Sequence, residues 1–248
     1  MKKLNYLFLL LPFAFLNAQE SIQTDRPDQT ESPAITPKNH LQVETGFLYE
    51  KVDRDTENFS HPTILWKYGI NENFELRVIT EFNSEKNTDF RESGISPLTF
   101  GFKAKLAEEH KYFPKISFIG HLTANKLASD YFKTAHPAPS FRLLFQHTLT
   151  ERLSLGYNLG AEWNGETPDA TGIYTVSTAY SFNQKLGGFV ELYGFLSEFQ
   201  KPDHRFDAGL TYLINNDFQI DASAGLGLSE MSPNHFLSCG LSYRFNTK

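Results

Sequence analysis

The groups with which this sequence could do chemistry are charged residues set at every second position. Glu44 and Glu50 are interleaved with Val43, Thr45, Phe47 and Tyr49. Glu75, Arg77 and Glu81 alternate with Phe74, Leu76, Val78 and Thr80, and Lys103 and Lys105 with Phe102, Ala104 and Leu106. Arg142, Glu162, Glu191, Asp221 and Arg244 obey the same spacing, as do Lys67, Lys115 and Asp207. A second concentration is TDRPDQTESP, formed by Thr24, Asp25, Arg26, Pro27, Asp28, Gln29, Thr30, Glu31, Ser32 and Pro33, in which three acids surround one cation. Acids and bases mixed in near balance can pair with one another or line a wet path, and no two carboxylates stand out as an acid and base couple. His147 falls on the apolar side of its segment, and His121 on the polar side with Ser117 and Thr123. His61, His136, His204 and His235 have no Cys or His at metal-ligand spacing. The expectation is a non-enzyme with no metal and no cofactor.

Elements able to position such residues must show one face to each of two environments. Residues 153–163, LSLGYNLGAEW, give the pattern: Leu153, Leu155, Tyr157, Leu159, Ala161 and Trp163 on one side, Ser154, Gly156, Asn158, Gly160 and Glu162 on the other. This is the period of a β-strand, at the length a tilted membrane-crossing strand requires. Twelve segments repeat it, beginning near residues 41, 64, 74, 98, 116, 141, 153, 174, 188, 206, 218 and 237. None of their apolar-face positions is Asp, Glu, Lys or Arg, although 21% of the chain is charged. A lysine or arginine facing lipid at mid-bilayer costs about 2–4 kcal/mol, which accounts for the gap. Many glycines, Gly46, Gly101, Gly156, Gly160 and Gly209 among them, fall on the charged face, where they leave space for a plug, a solute or tight curvature. A soluble two-sheet sandwich also alternates, but its edge strands would carry outward charges.

The connections alternate in length. Short turns at 71–73, 150–152, 183–185 and 215–217, and a longer one at 107–114, face loops near 52–61, 84–96, 124–139, 164–170, 197–205 and 229–235. Short periplasmic turns against long extracellular loops are the transmembrane-barrel signature, and place both mature termini in the periplasm. Tyr68, Phe74, Phe182, Tyr212, Phe218, Tyr243 and Phe245 gather at the short-turn end as an aromatic girdle would. The chain has 248 residues, 15% aromatic, with a net charge of −6 and one cysteine, Cys239, so disorder, internal disulfides and a nucleic-acid partner are all disfavoured. Lys2 and Lys3, an apolar core over 4–16 and Ala18 read as a cleaved signal peptide over residues 1–18, and Gln19 after the cut argues against a lipoprotein. Residues 19–40 are spaced by Pro27, Pro33 and Pro37, which forbids a helix interior or a central strand. They suit a plug or a periplasmic tether before a barrel of residues 41–248.

TDRPDQTESP followed by LQVETGFLYE resembles the opening of a family of outer-membrane transporters named after the meta-cleavage pathway of phenol degradation. KYGINENFELRV (67–78), GFVELYG (188–194) and LTYLINNDFQIDAS (210–223) extend the similarity over most of the mature chain. The family usually has a Pro-x-Gly turn before its first strand. Here it reads Pro37, Lys38, Asn39, and Asn tolerates the left-handed conformation such a turn needs. The resemblance implies a barrel and suggests transport, with hydrophobic or aromatic solutes in view and no catalytic residues to carry over. The expectation is therefore an all-β, monomeric, twelve-stranded outer-membrane barrel of a Gram-negative bacterium, passing small solutes through a lumen of mixed charge. Arg77, Lys103, Arg142 and Arg244 are expected to pair with lumen acids or with Asp25, Asp28 and Glu31. Its expected partners are outer-membrane lipid and, through the terminal LSYRF, the barrel-assembly machinery. An adhesive barrel using Tyr131 and Phe132 of its longest loop, or a lipid-modifying enzyme using His147, are the alternatives.

Overall fold

The computed structural model describes residues 21–248, and the leader expected over residues 1–18 lies outside the described residues. The strands are β1 (His40–Lys51), β2 (Glu57–Asn71), β3 (Phe74–Lys86), β4 (Arg91–Ile95), β5 (Thr99–Ala107), β6 (Lys115–Thr123), β7 (Ala138–Thr148), β8 (Leu153–Glu162), β9 (Thr171–Ser181), β10 (Leu186–Ser197), β11 (Asp203–Asn215), β12 (Phe218–Gly227) and β13 (His235–Asn246). Each pairs antiparallel with its neighbours, and β1 closes the ring against β13 from His40↔Asn246 to Lys51↔His235. The result is a closed antiparallel barrel of twelve staves. Closure leaves no edge, so the strand ladders of the wall are paired on both sides all the way round.

The thirteenth strand changes one expected boundary. β5 pairs with residues 74–79 of β3, while β4 pairs with residues 82–86 on the same edge. The two are one stave interrupted around Pro97, which has no N–H to give the ladder. β4 lies where residues 84–96 are expected to be a loop, and β2 likewise starts at Glu57, inside the expected loop 52–61. Both extensions run beyond the region where lipid enforces alternation, and cross-strand charges support them: Glu57 accepts from Lys51 at 3.0 Å and Lys86 at 3.2 Å.

Alternation elsewhere maps onto inside and outside. Phe47, Trp66, Leu76, Phe100, Leu122, Leu159, Val190 and Leu210 project outward, whereas Glu44, Glu75, Lys67, Arg77 and Lys103 are buried inside. At the short-turn end Phe218 and Tyr243 are register partners with ring centroids 5.8 Å apart, and Tyr243 packs on Phe245 at 4.5 Å. The inward face is less uniformly polar than its spacing suggests, because Ile119, Leu144, Ile173, Phe189, Tyr193 and Phe236 are also buried there. The loop between β6 and β7 is not free either. Tyr131 donates its hydroxyl to Glu85 at 2.9 Å and packs on Phe90 and Phe132.

Candidate functional site

The lumen is crossed by the proline-spaced segment. It enters at the short-turn rim, where the Ile22 amide donates to the Asn216 carbonyl at 2.7 Å. It returns to the same rim at residues 37–39, where Asn39 adopts φ +58° and its amide donates to Gly69. Asparagine thus fills the left-handed position that the Pro37, Lys38, Asn39 spacing requires. Between these anchors the chain makes neither helix nor strand, so its backbone groups turn to side chains of the wall. Glu44 accepts the amides of Asp25 (2.9 Å) and Arg26 (3.1 Å), Glu191 that of Gln29 (2.7 Å), and Glu75 that of Thr36 (2.7 Å). Asn158 accepts the Glu31 amide at 2.7 Å and donates back to the Glu31 carbonyl at 3.1 Å. Ser117 donates to the Pro33 carbonyl at 2.7 Å.

The charged side chains of the segment divide between two parts of the wall. Asp25, 6% exposed, lies 3.0 Å from Lys67 of β2, 2.9 Å from Lys103 of β5 and 3.3 Å from Arg77 of β3. Glu31 pairs with Arg77 at 2.8 Å. A single buried carboxylate would cost several kcal/mol to desolvate, and here cations on three staves offset it. Arg26 turns the other way, to Asp221 of β12 at 2.9 Å and Ser238 of β13 at 3.0 Å. Its guanidinium occupies the space over Gly46 and Gly240, where a Cβ on either would overlap it. Asp28 accepts from Ser177 of β9 at 3.0 Å, and Thr30 bonds both Thr175 and Glu191.

The expected site residues do not all converge. Arg77, Lys103, Glu44, Glu75, Glu191 and Asp221 meet the segment as described. Among the described residues Arg244 instead binds Asp217 of the β11–β12 turn, at 2.7 Å, on the rim. Lys105 pairs with Glu108 at the same rim. Glu81 accepts from Thr63 at 2.8 Å, above the segment. Glu162 lines a 300 Å³ recess at the long-loop mouth with Phe195 and Arg205. Among the described residues no carboxylate lies within ion-pair distance of Arg142; it donates to the Gln29 carbonyl at 3.1 Å and borders a 170 Å³ cavity with Leu65, Ile79 and Arg77. Of the contacts just described, Asn158, Ser117, Ser177 and Ser238 fall outside the charge-based reading of the lumen. Their signal was present as polar residues on the inward face, but an uncharged side chain does not announce a partner. Among the described residues no group of His, Cys, Asp or Glu is placed to hold a metal ion. His147 contacts Tyr157 at 3.4 Å, and His121 lies over Gly101 inside the barrel.

Solved structures share this fold at low identity. An outer membrane channel from Pseudomonas putida F1 superposes with a TM-score of 0.71 at 12% identity, covering 86% of this chain and 98% of that one. The KdgM porin gives 0.57 at 13% identity over 82% and 99%, and the NanC porin 0.56 at 10% over 82% and 98%. No curated protein matches the sequence. A family model spans nearly the whole barrel with its inner segment, residues 24–245, and the chain belongs to that family, described as "Putative MetA-pathway of phenol degradation".

Proposed function

We propose that this protein is an outer-membrane channel for small solutes whose inner segment closes the lumen and must shift for passage. The observation that carries the reading is the seating of residues 24–36 across the lumen, bonded to β1, β2, β3, β5, β6, β7, β8, β9, β10, β12 and β13. The girdle end would face the periplasm and the long loops the exterior. Cavities of 390 Å³ and 740 Å³ flank the segment at the girdle end, and smaller recesses lie beyond it. Solute would thus meet a wet antechamber on each side of one barrier. The apolar inward residues Leu65, Ile79, Tyr193 and Phe236 beside fixed charges favour solutes with an apolar body and a polar group.

Planar-bilayer conductance of the refolded mature barrel, compared with a version lacking residues 21–38, tests this. Conductance that rises on deletion supports the gated channel. Silence from both, with the folded barrel confirmed by circular dichroism, overturns it.

A further inference from the structure

Among the described residues, one part of the lumen lacks countercharge. Glu191 of β10 and Asp207 of β11 are direct cross-strand partners, each 1% exposed. Neither oxygen of Asp207 receives an N–H or O–H donor from any described residue. Its direct cross-strand neighbour on the same inward face is the Glu191 carboxyl. Asp28 of the inner segment stands against the same wall, with the next two residues, Gln29 and Thr30, both bonded to Glu191.

Every charged neighbour is committed elsewhere. On the segment, Arg26 is held by Asp221 of β12, and Asp25 by Lys67, Lys103 and Arg77. On β11, Arg205 is held by Asp203 and Glu50, with the Tyr193 ring of β10 beneath it. β9 contributes the uncharged Thr175 and Ser177. Two carboxyls side by side on one buried face, with no cation beside them among the described residues, strongly disfavour being ionised together. The described residues offer no arrangement for a metal ion in their place.

We propose that Asp28, Glu191 and Asp207 form a proton-binding site that latches the inner segment to the β10–β11 wall and lets go when it ionises. The inference rests on the gated-channel reading and names what controls the gate. With the proton bound, Asp207 and Glu191 share it, and Glu191 keeps free lone pairs for Gln29 and Thr30. When the proton leaves for solvent, adjacent carboxylates repel, and Asp28 is pushed from the wall into the lumen. Release therefore follows rising pH, while the cationic wall that holds Asp25 keeps its grip.

Two measurements on the full mature barrel test the proposal. Infrared spectroscopy at neutral pH should show the stretch of a protonated, buried carboxyl that disappears in Asp207→Asn; no such band, or one unchanged in the variant, overturns the proton site whatever the channel does. Bilayer conductance should rise several-fold from mildly acidic to mildly alkaline pH in the unaltered protein. In Asp207→Asn, whose amide donates to Glu191 permanently, it should stay at its acidic level. A variant that follows the unaltered pH profile overturns the latch. The version lacking residues 21–38 separates the two readings: if it conducts strongly at all pH values while the full protein shows no pH response, the gate stands and the latch falls.

Discussion

Gly46 lies directly opposite Gly240 across the β1–β13 seam, and the Arg26 guanidinium rests in the space their missing side chains leave. From there it reaches Asp221, whose side chain is fully buried. The seam glycines are thus a socket for the inner segment rather than loose points in the wall.

Gly46→Val should evict Arg26 while leaving the strand intact, since a β-branched residue suits a strand and the three atoms nearest a Cβ at this position all belong to that guanidinium. Asp221 then loses its partner in a buried setting. Single-channel conductance should rise several-fold, and a double variant with Asp221→Asn should recover part of the folding stability lost. Unchanged conductance would mean that Arg26 does not help seat the segment.

Asn158→Leu keeps the side-chain volume but strips both hydrogen bonds from the Glu31 backbone. Leaving a buried amide and carbonyl unpaired costs about 1–3 kcal/mol each. Hydrogen exchange at the Glu31 amide should accelerate by roughly tenfold or more, with exchange in the β7–β9 wall unaffected.

Asp25→Ala removes the one group shared by Lys67, Lys103 and Arg77. Three buried cations then crowd together with Glu44, Glu31 and Glu75 as their remaining counterions. Breaking such a network costs about 3–5 kcal/mol. The thermal transition should fall accordingly, and deleting residues 21–38 should lower it less than Asp25→Ala combined with the opposing Glu44→Gln, because deletion also lets water reach the cations.

Arg142→Ala should act differently from these. Its guanidinium holds a backbone carbonyl and no acid, so its loss widens the 170 Å³ cavity without unseating Asp25 or Glu31. The lumen loses a positive charge that no carboxylate among the described residues meets at ion-pair distance. Conductance should increase modestly, and the reversal potential in a salt gradient should move toward cation selectivity. A shift toward anions would contradict this placement of Arg142.

The barrel was legible because lipid imposes a rule that sequence must obey at every outward position. Leu76 and Phe100 stand outside and Arg77 and Lys103 inside, as alternation requires. Where water bathes both faces the rule lapses, so β4 and the first turns of β2 gave no periodic signal. The destination of residues 24–33 was hidden for a related reason: extended chain without periodicity looks alike whether it lies in solvent or in a lumen. Its acids and the wall's bases could be matched in kind, but not in place. Arg244 has the right charge and the right face, yet its height on β13 brings it to Asp217 at the rim.

The position of Arg26 also bears on how the molecule is made. Its socket is half on the first strand and half on the last, the two strands whose pairing shuts the ring. A half-built wall offers one glycine and no opposite bank, so the seat of Arg26 is complete only when the ring is shut. The seam that joins the two ends of the wall is thereby also an anchor of what fills the interior, and a barrel left open there would lose that anchor and leak.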